Sequence, residues 1–233
     1  MLSNMEIKRI RSLKEKKFRD ALGLFVVEGD KMVDEALSSG MEVVCLVRKD
    51  DVGEAVMSRI SSLSTPPPSL AVVRMPSPSG MGLPGGTCLA LDSVRDPGNL
   101  GTILRLSDWF GVDCVYASPD TVDVFNPKVI QASMGAIFRK RLIYCDLPQL
   151  CRSFAAASLP VYGTFLNGRD IYSSDLSKEG LIVMGNESDG ISPAVEREIT
   201  FRLTIPSFAA GPTAESLNVA VAAAITLSEF KRR

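Results

Sequence analysis

Leu91-Asp-Ser-Val-Arg-Asp-Pro-Gly-Asn-Leu-Gly-Thr-Ile-Leu-Arg105 decides how the second half of this chain folds. Leu89, Ala90 and Leu91 read as the end of a buried strand. Asp96-Pro97-Gly98-Asn99 is a turn cluster in which Asn99 is a good helix N-cap. Beyond it Leu100, Ile103, Leu104, Leu106 and Phe110 recur at helical spacing. A strand therefore runs through a tight turn into a helix. In an open α/β sheet such a junction lies at the carboxyl end of the strand, where ligands bind. Asn99 and Arg105 are polar groups near that end. Taken alone, they also fit a plain cap and a surface arginine whose stem snorkels.

Working outward, the strand-then-helix pattern repeats from Thr87 onward. Strands are expected near 88–94, 113–117, 141–145, 160–165, 181–185 and 201–205, and helices near 99–110, 126–134, 148–158, 193–199 and 216–230. Continuous apolar runs such as Leu181-Ile-Val-Met184 point to a parallel sheet covered on both faces. The alternation gives a doubly wound α/β fold. Gly185-Asn-Glu-Ser-Asp-Gly190 is a second strand–loop–helix junction, with Glu187 in the loop and Ser192-Pro193 opening the next helix. Ile205-Pro-Ser-Phe-Ala-Ala-Gly-Pro-Thr-Ala-Glu-Ser-Leu-Asn-Val219 is a third. Its helix, expected from Ser216, is apolar nearly all round and should be buried. A cap explains Ser216, but Asn218 in a buried first turn needs polar partners. Three such loops build one crevice if their strands are neighbours. The Gly185–Gly190 loop is not the Gly-x-Gly-x-x-Gly of a dinucleotide fold and no Walker-type Gly-Lys-Ser/Thr occurs, so NAD and ATP are not indicated.

The first 75 residues read as a small α/β unit: strand at Leu24–Val27, helix from Asp30 to Gly40, strand at Val43–Val47, a helical face of Val52, Val56 and Ile60, and strand at Leu70–Val73. Residues 76–86 are rich in Pro and Gly and read as a linker. The expected domains are thus 1–75 and 87–233.

Composition removes several chemistries. The chain has no histidine, which excludes Ser-His-Asp and Cys-His catalysis and every His-containing metal site. Its five cysteines are scattered, without a Cys-x-x-Cys, and read as small core residues. The N-terminus lacks the apolar core of a secretory signal and no run reaches membrane-span length, so a cytoplasmic location is expected. Net charge is −1, but residues 1–20 hold seven Lys/Arg against three Asp/Glu, and Arg139-Lys140-Arg141 is a further basic cluster. Such patches suffice for phosphate contacts. Each alone also fits a solvated surface.

Together the three loops resemble the SpoU-type branch of the SPOUT RNA methyltransferases. The first motif, Asn-x-Gly-x-Ile-x-Arg, is matched by Asn99, Gly101, Ile103 and Arg105. Ser133-Met-Gly-Ala136 matches a Ser-x-Gly-Ala element. Gly185 to Gly190 resembles Gly-Asn-Glu-x-x-Gly, and Ile205-Pro206 followed by Glu215-Ser-Leu-Asn-Val219 resembles the third motif. The match covers residues 89 to 230. Phe25-Val-Val-Glu-Gly29 with the basic stretch before it resembles the L30e-like RNA-binding domain often fused to this family. One departure is a longer loop at 207–214.

The resemblance implies a trefoil knot near the C-terminal end, a homodimer with a shared active site, and S-adenosylmethionine bound by Thr164, Gly185, Ile205 and Leu217, largely through backbone. It implies ribose 2′-O-methylation of RNA, ribosomal more than transfer RNA, without a metal. The expected catalytic set is Arg105, oriented with the ribose by Asn99, Glu187, Ser216 and Asn218. Arg105 is often described as the base in this family. A guanidinium stays protonated, so a clamp on the adjacent phosphate and on the developing alkoxide is the stronger role. Lys14, Lys16, Lys17, Arg19 and Arg139 are expected to contact RNA. The residues alone leave other readings open: a non-catalytic RNA-binding protein, a base methyltransferase, or a small-molecule enzyme. The Gly98-Asn-Leu-Gly101 match to a KH loop is discounted by the strand before it.

Overall fold

The computed structural model describes residues 2–77, 83, 85–212 and 214–232. Most of the linker expected at 76–86 lies outside the described residues. Before it stand α1 (Asn4–Ser12), α2 (Lys16–Leu22), β1 (Leu24–Glu28), α3 (Asp30–Ser38), β2 (Val43–Arg48), α4 (Lys49–Val52), α5 (Glu54–Ile60) and β3 (Ser69–Arg74). The three strands form an antiparallel sheet in the order β1-β3-β2. Gly29, at φ 93°, stands at the cap of α3, and the carboxylate of Asp30 after it accepts from the Ser69 hydroxyl at 2.6 Å. Gly53, at φ 81°, splits the expected single helix into α4 and α5.

After the linker come β4 (Thr87–Leu91), α6 (Pro97–Trp109), β5 (Cys114–Ala117), α7 (Pro127–Ser133), β6 (Leu142–Tyr144), α8 (Leu147–Ala156), β7 (Val161–Asp170), β8 (Gly180–Met184), α9 (Pro193–Glu196), β9 (Phe201–Thr204) and α10 (Val219–Arg232). Six strands lie in the order β6-β5-β4-β8-β7-β9, and every pairing is parallel. Strands β4, β5 and β8 are buried along their whole length, as the apolar runs require. Alternation sorts their side chains. Leu89 and Leu91 face one core with α6 and α10; Cys88 and Ala90 face the other with α8.

The first of these cores does not stop at the second sheet. It continues into Phe25, Val27, Met32, Val33 and Ala36 of the N-terminal unit. The Phe25 and Phe125 rings lie 4.7 Å apart across that boundary. Each fully buried side chain of this size contributes about 1.5–3 kcal/mol, so the two units are docked through apolar packing. The contact falls on α7, which in turn packs closely on α6. A β-carbon at Gly101 would sit 2.5 Å from the Ala132 side chain and 2.7 Å from the Val129 carbonyl oxygen. The glycine of the first motif is therefore what lets α6 and α7 touch.

The resemblance implies a knot at the C-terminal end. What the structure shows there is a strap. Leu203 of β9 pairs with Thr164 and again with Arg169. A strand residue has one neighbour on each flank, so residues 165–168 pass across β9 from one flank to the other. Gly168 makes the crossing possible, since a β-carbon there would lie 2.7 Å from the Leu203 backbone. The Arg202 guanidinium rests on the Phe165 ring at 3.6 Å and bonds Asn167 Oδ1, while Thr204 Oγ1 bonds the Leu166 carbonyl.

Candidate active site

The helix that decides the fold begins two residues earlier than the sequence suggests, and this matters chemically. Asp96, not Asn99, is the N-cap of α6; its Oδ1 accepts the Asn99 N–H at 2.8 Å. Pro97 takes the first helical position, where its missing N–H costs nothing. Asn99 is left with a free side chain in the first turn.

That side chain joins the three expected loops. Asn99 Nδ2 donates to Glu187 Oε1 at 2.5 Å. Asn99 Oδ1 accepts from Asn218 Nδ2 at 3.0 Å. Asn218 Oδ1 accepts the N–H groups of Ala220 and Val221, so Asn218 is the cap of α10. The expectation that α10 starts near Ser216 is corrected: it starts at Val219, and Asn218 is exposed rather than buried. Ser216 is also exposed and makes no hydrogen bond among the described residues. Strands β4, β8 and β7 are sheet neighbours with β9 beyond, so the loops after them meet at one end of the sheet.

Two residues missed by sequence reasoning hold this junction. Asp92, buried just after β4, accepts the Ser192 N–H at 2.7 Å. Asn186 Nδ2 donates to the Ser93 carbonyl at 2.8 Å, while its Oδ1 accepts from Ser188 and Asp189. The loop carrying Glu187 is thus fastened to the loop carrying Asn99. Ser93 itself has φ 60°, an unusual value for a residue with a side chain. Its N–H bonds Ser118 Oγ and its hydroxyl bonds Asp120, which holds the Asp120 carboxyl below its ordinary value. Only the polar residue directly after an apolar strand signals Asp92 in the sequence.

Arg105 stands apart. Six residues beyond Asn99, it is displaced about 9 Å along the helix and turned by about 120°. It is exposed and makes no hydrogen bond or ion pair with a described residue. Within a single chain, therefore, Arg105 does not meet Asn99, Glu187, Ser216 or Asn218. Arg105 lies on an open stripe of α6 with Thr102 and Trp109, the indole being 84% exposed. Helix α10, which packs beside α6, is not buried all round either; Val221 is 48% exposed.

Of the four expected cofactor residues, Thr164 lies within β7 where its regular pairing breaks, Gly185 and Ile205 follow β8 and β9, and Leu217 precedes α10. Thr164 Oγ1 is already given to the Val183 carbonyl at 3.2 Å, which leaves its backbone as the available part. Gly185 cannot carry a side chain: a β-carbon would lie 2.3 Å from the Gly190 backbone, because Asn186 and Gly190 close the loop with paired backbone bonds. Ile205 packs on the core. Between 205 and 217 the described residues show a single hydrogen bond, from the Ala209 N–H to Ser207 Oγ. Leu166 and Leu217 are exposed nearby. Uncommitted backbone donors and acceptors beside apolar side chains suit a flat heteroaromatic group with a polar edge. A cavity of about 880 Å³ lies elsewhere, among Leu159, Tyr162, Arg169, Ser173 and Phe201, and no motif residue lines it.

The basic residues divide. Arg19 is corrected: it is 2% exposed and its guanidinium bonds Asp123, with Nη2 to Oδ2 at 2.5 Å, and the carbonyls of Leu13 and Lys14. It ties the N-terminal unit to the larger one. Arg139 bonds Glu35 across the same boundary and Asp108 within its own unit. Lys14 bonds the Ser61 carbonyl, while Lys16 and Lys17 are exposed with weak local partners Asp20 and Glu15. Lys8, Arg9 and Arg11 on α1 are exposed and were not singled out in the sequence.

Comparison with known proteins agrees with this geometry. Residues 86–228 match the SpoU rRNA Methylase family, and residues 4–60 match the MRM3-like substrate binding domain. A Bacillus subtilis 23S rRNA (guanosine(2553)-2'-O)-methyltransferase, RlmP, is 32% identical over 98% of this chain and 96% of its own. Among solved structures, a TrmH-family protein from Porphyromonas gingivalis has a TM-score of 0.90 at 41% identity, covering 100% of this chain and 99% of its own. An AdoMet-bound rRNA methyltransferase from Sinorhizobium meliloti has a TM-score of 0.89 at 31% identity, covering 100% and 96%.

Proposed function

The chain belongs to the SpoU rRNA methylase family, and from that premise we propose that it transfers the methyl group of S-adenosylmethionine to a ribose 2′-hydroxyl of ribosomal RNA in the cytoplasm. The observation that carries the reading is the Glu187–Asn99–Asn218 chain, which draws three strand-end loops into one polar site.

The bound cofactor supplies an electrophilic methyl group, so the protein's work is positioning and charge stabilisation. Backbone of Thr164, Gly185, Ile205 and Leu217 holds the cofactor. Asn99, Glu187 and Asn218 fix the ribose end, with Ser216 beside them. Arg105 grips the phosphate next to the target ribose and offsets the charge that develops on its oxygen. The N-terminal unit binds RNA, with Lys14, Lys16 and Lys17 as phosphate contacts. The match of residues 4–60 to a substrate binding domain supports this part.

The protein acts as a homodimer in this reading. Arg105, Trp109 and Val221 make an exposed face of α6 and α10 that a second copy covers. Arg105 then reaches the partner's Asn99 site, which answers its separation from Asn99 in its own chain.

The test is transfer of labelled methyl to total RNA from cells lacking the protein, followed by alkaline hydrolysis. Label in an alkali-resistant dinucleotide is expected, in RNA of ribosomal size. Label released as mononucleotide would mean base methylation, and label in transfer-sized RNA would move the substrate. Arg105→Ala at near wild-type rate would remove Arg105 from the mechanism.

A further inference from the structure

We infer that Glu187 is the group that takes the proton from the ribose 2′-hydroxyl. The inference rests on the ribose-methylation reading above. As the ribose oxygen forms its bond to the methyl carbon, the carbon–sulfur bond breaks with its electron pair on sulfur. The hydroxyl proton passes to a Glu187 carboxylate oxygen.

The site needs a proton acceptor with a lone pair at neutral pH, and its inventory is short. Arg105 is a guanidinium and has none to offer. Asn99 and Asn218 are amides, and Ser216 is a neutral hydroxyl. Asp96 is spent on capping α6, Asp92 is buried on the Ser192 N–H, and Asp189 and Glu215 are exposed and make no bond to Asn99 or Asn218. Glu187 is half-buried in the loop after β8, and one of its oxygens accepts from Asn99. Its Oε2 has no hydrogen bond among the described residues, which leaves it open to a substrate hydroxyl.

The network also fixes the direction of that hydrogen bond. Asn218 donates to Asn99 Oδ1, so the Asn99 amide must turn its NH₂ toward Glu187. Asn218 is itself held by two backbone N–H groups at the start of α10. Asn186 and Asp92 fasten the loop from behind. The carboxylate is therefore aimed rather than loosely displayed. Other titratable or charged groups on the surrounding elements are Asp92, Arg95, Asp96 and Arg105 from β4–α6, Asp189 in the same loop, and Glu215 before α10.

The experiment compares Glu187→Gln with the wild-type chain, using S-adenosylmethionine and an RNA already shown to receive ribose label. Gln keeps the shape and accepts the Asn99 hydrogen bond, but is not basic. The single-turnover rate constant should fall by about a hundredfold or more, and the acid limb of its pH profile should disappear. Calorimetric affinities for cofactor and RNA should stay within about twofold, which also reports an intact fold. Glu187→Asp should keep the acid limb at a reduced rate. A Gln variant within about threefold of wild type, with its acid limb intact, would overturn the assignment. So would a loss explained by weakened cofactor binding. If the wild-type chain labels no ribose, the reading of the reaction fails first, and that result is distinct.

Discussion

Asn218 Nδ2 is hydrogen-bonded to Asn99 Oδ1 at 3.0 Å, across 119 residues of sequence. The bond joins the first turn of α6 to the cap of α10, so neither helix can rotate without disturbing the other. If this pair works as one unit with Glu187, single losses should be nearly as harmful as the double loss. Asn99→Ala and Asn218→Ala should each lower the rate constant by roughly tenfold or more, and the double variant should fall well short of their product. Single-turnover kinetics on all three gives the coupling. Strict additivity would mean the two asparagines act separately.

A shared active site predicts recovery on mixing. Arg105→Ala and Glu187→Gln subunits, each inactive alone, should regain about a quarter of wild-type activity after equilibration at equal concentration. Half the dimers are then mixed, and each mixed dimer has one intact site. No recovery in a demonstrated mixed dimer would place Arg105 and Glu187 in the same subunit's site.

The buried Arg19–Asp123 pair makes an opposite prediction from the exposed lysines. Arg19→Ala leaves a carboxylate without its partner between the two units and should cost about 3–5 kcal/mol. Thermal and denaturant unfolding measure it. Neutralising Lys14, Lys16 and Lys17 should leave stability within about 0.5 kcal/mol per site while weakening RNA binding and flattening its salt dependence. An unchanged salt slope would assign the RNA to another surface, with Lys8, Arg9 and Arg11 next to be tested.

Gly101→Ala forces a methyl into the α6–α7 contact and should destabilise by about 1–3 kcal/mol. Gly185→Ala meets backbone instead of a side chain, so the loop itself must move. Its expected signature is lost cofactor affinity, read by calorimetry, beyond any shift in melting temperature.

Burial pushes the thiols of Cys88 and Cys151 up to about 12 and that of Cys145 to about 11. The folded chain keeps these thiols protonated where the unfolded chain has begun to ionise. Their contribution to stability is therefore complete below the ordinary thiol range and is lost as pH rises above about 9. Alkaline unfolding should steepen there, and replacing Cys88 with Ser should soften it. The same protonation makes these three thiols poor nucleophiles, and their alkylation in the folded chain should be slow.

Most of the strand and helix pattern was legible in the sequence because apolar runs and turn residues are local signals. The three loops could be placed on strand ends for the same reason. Their contact could not, since the Asn99–Glu187 and Asn99–Asn218 bonds depend on sheet order. The cap of α6 was misplaced because Asp96 and Asn99 are both good caps, and only Pro97 at the first helical position distinguishes them. Arg19 looked like its lysine neighbours; its partner Asp123 stands 104 residues away. The exposure of α10 was missed because an apolar helix reads as buried whether its own chain or a second copy covers it.

The strap at 165–168 imposes an order on events. It lies across β9, yet it leaves the ribosome some 33 residues before Phe201 does. The strap cannot close on a strand that has not been synthesised. Either it stays open until β9 arrives, or β9 must be passed beneath it afterwards. In both cases the cofactor end of the sheet is finished last, after the N-terminal unit and β4 to β6 have had time to pack. A nascent chain can therefore present a folded N-terminal unit before the far end of its parallel sheet is closed.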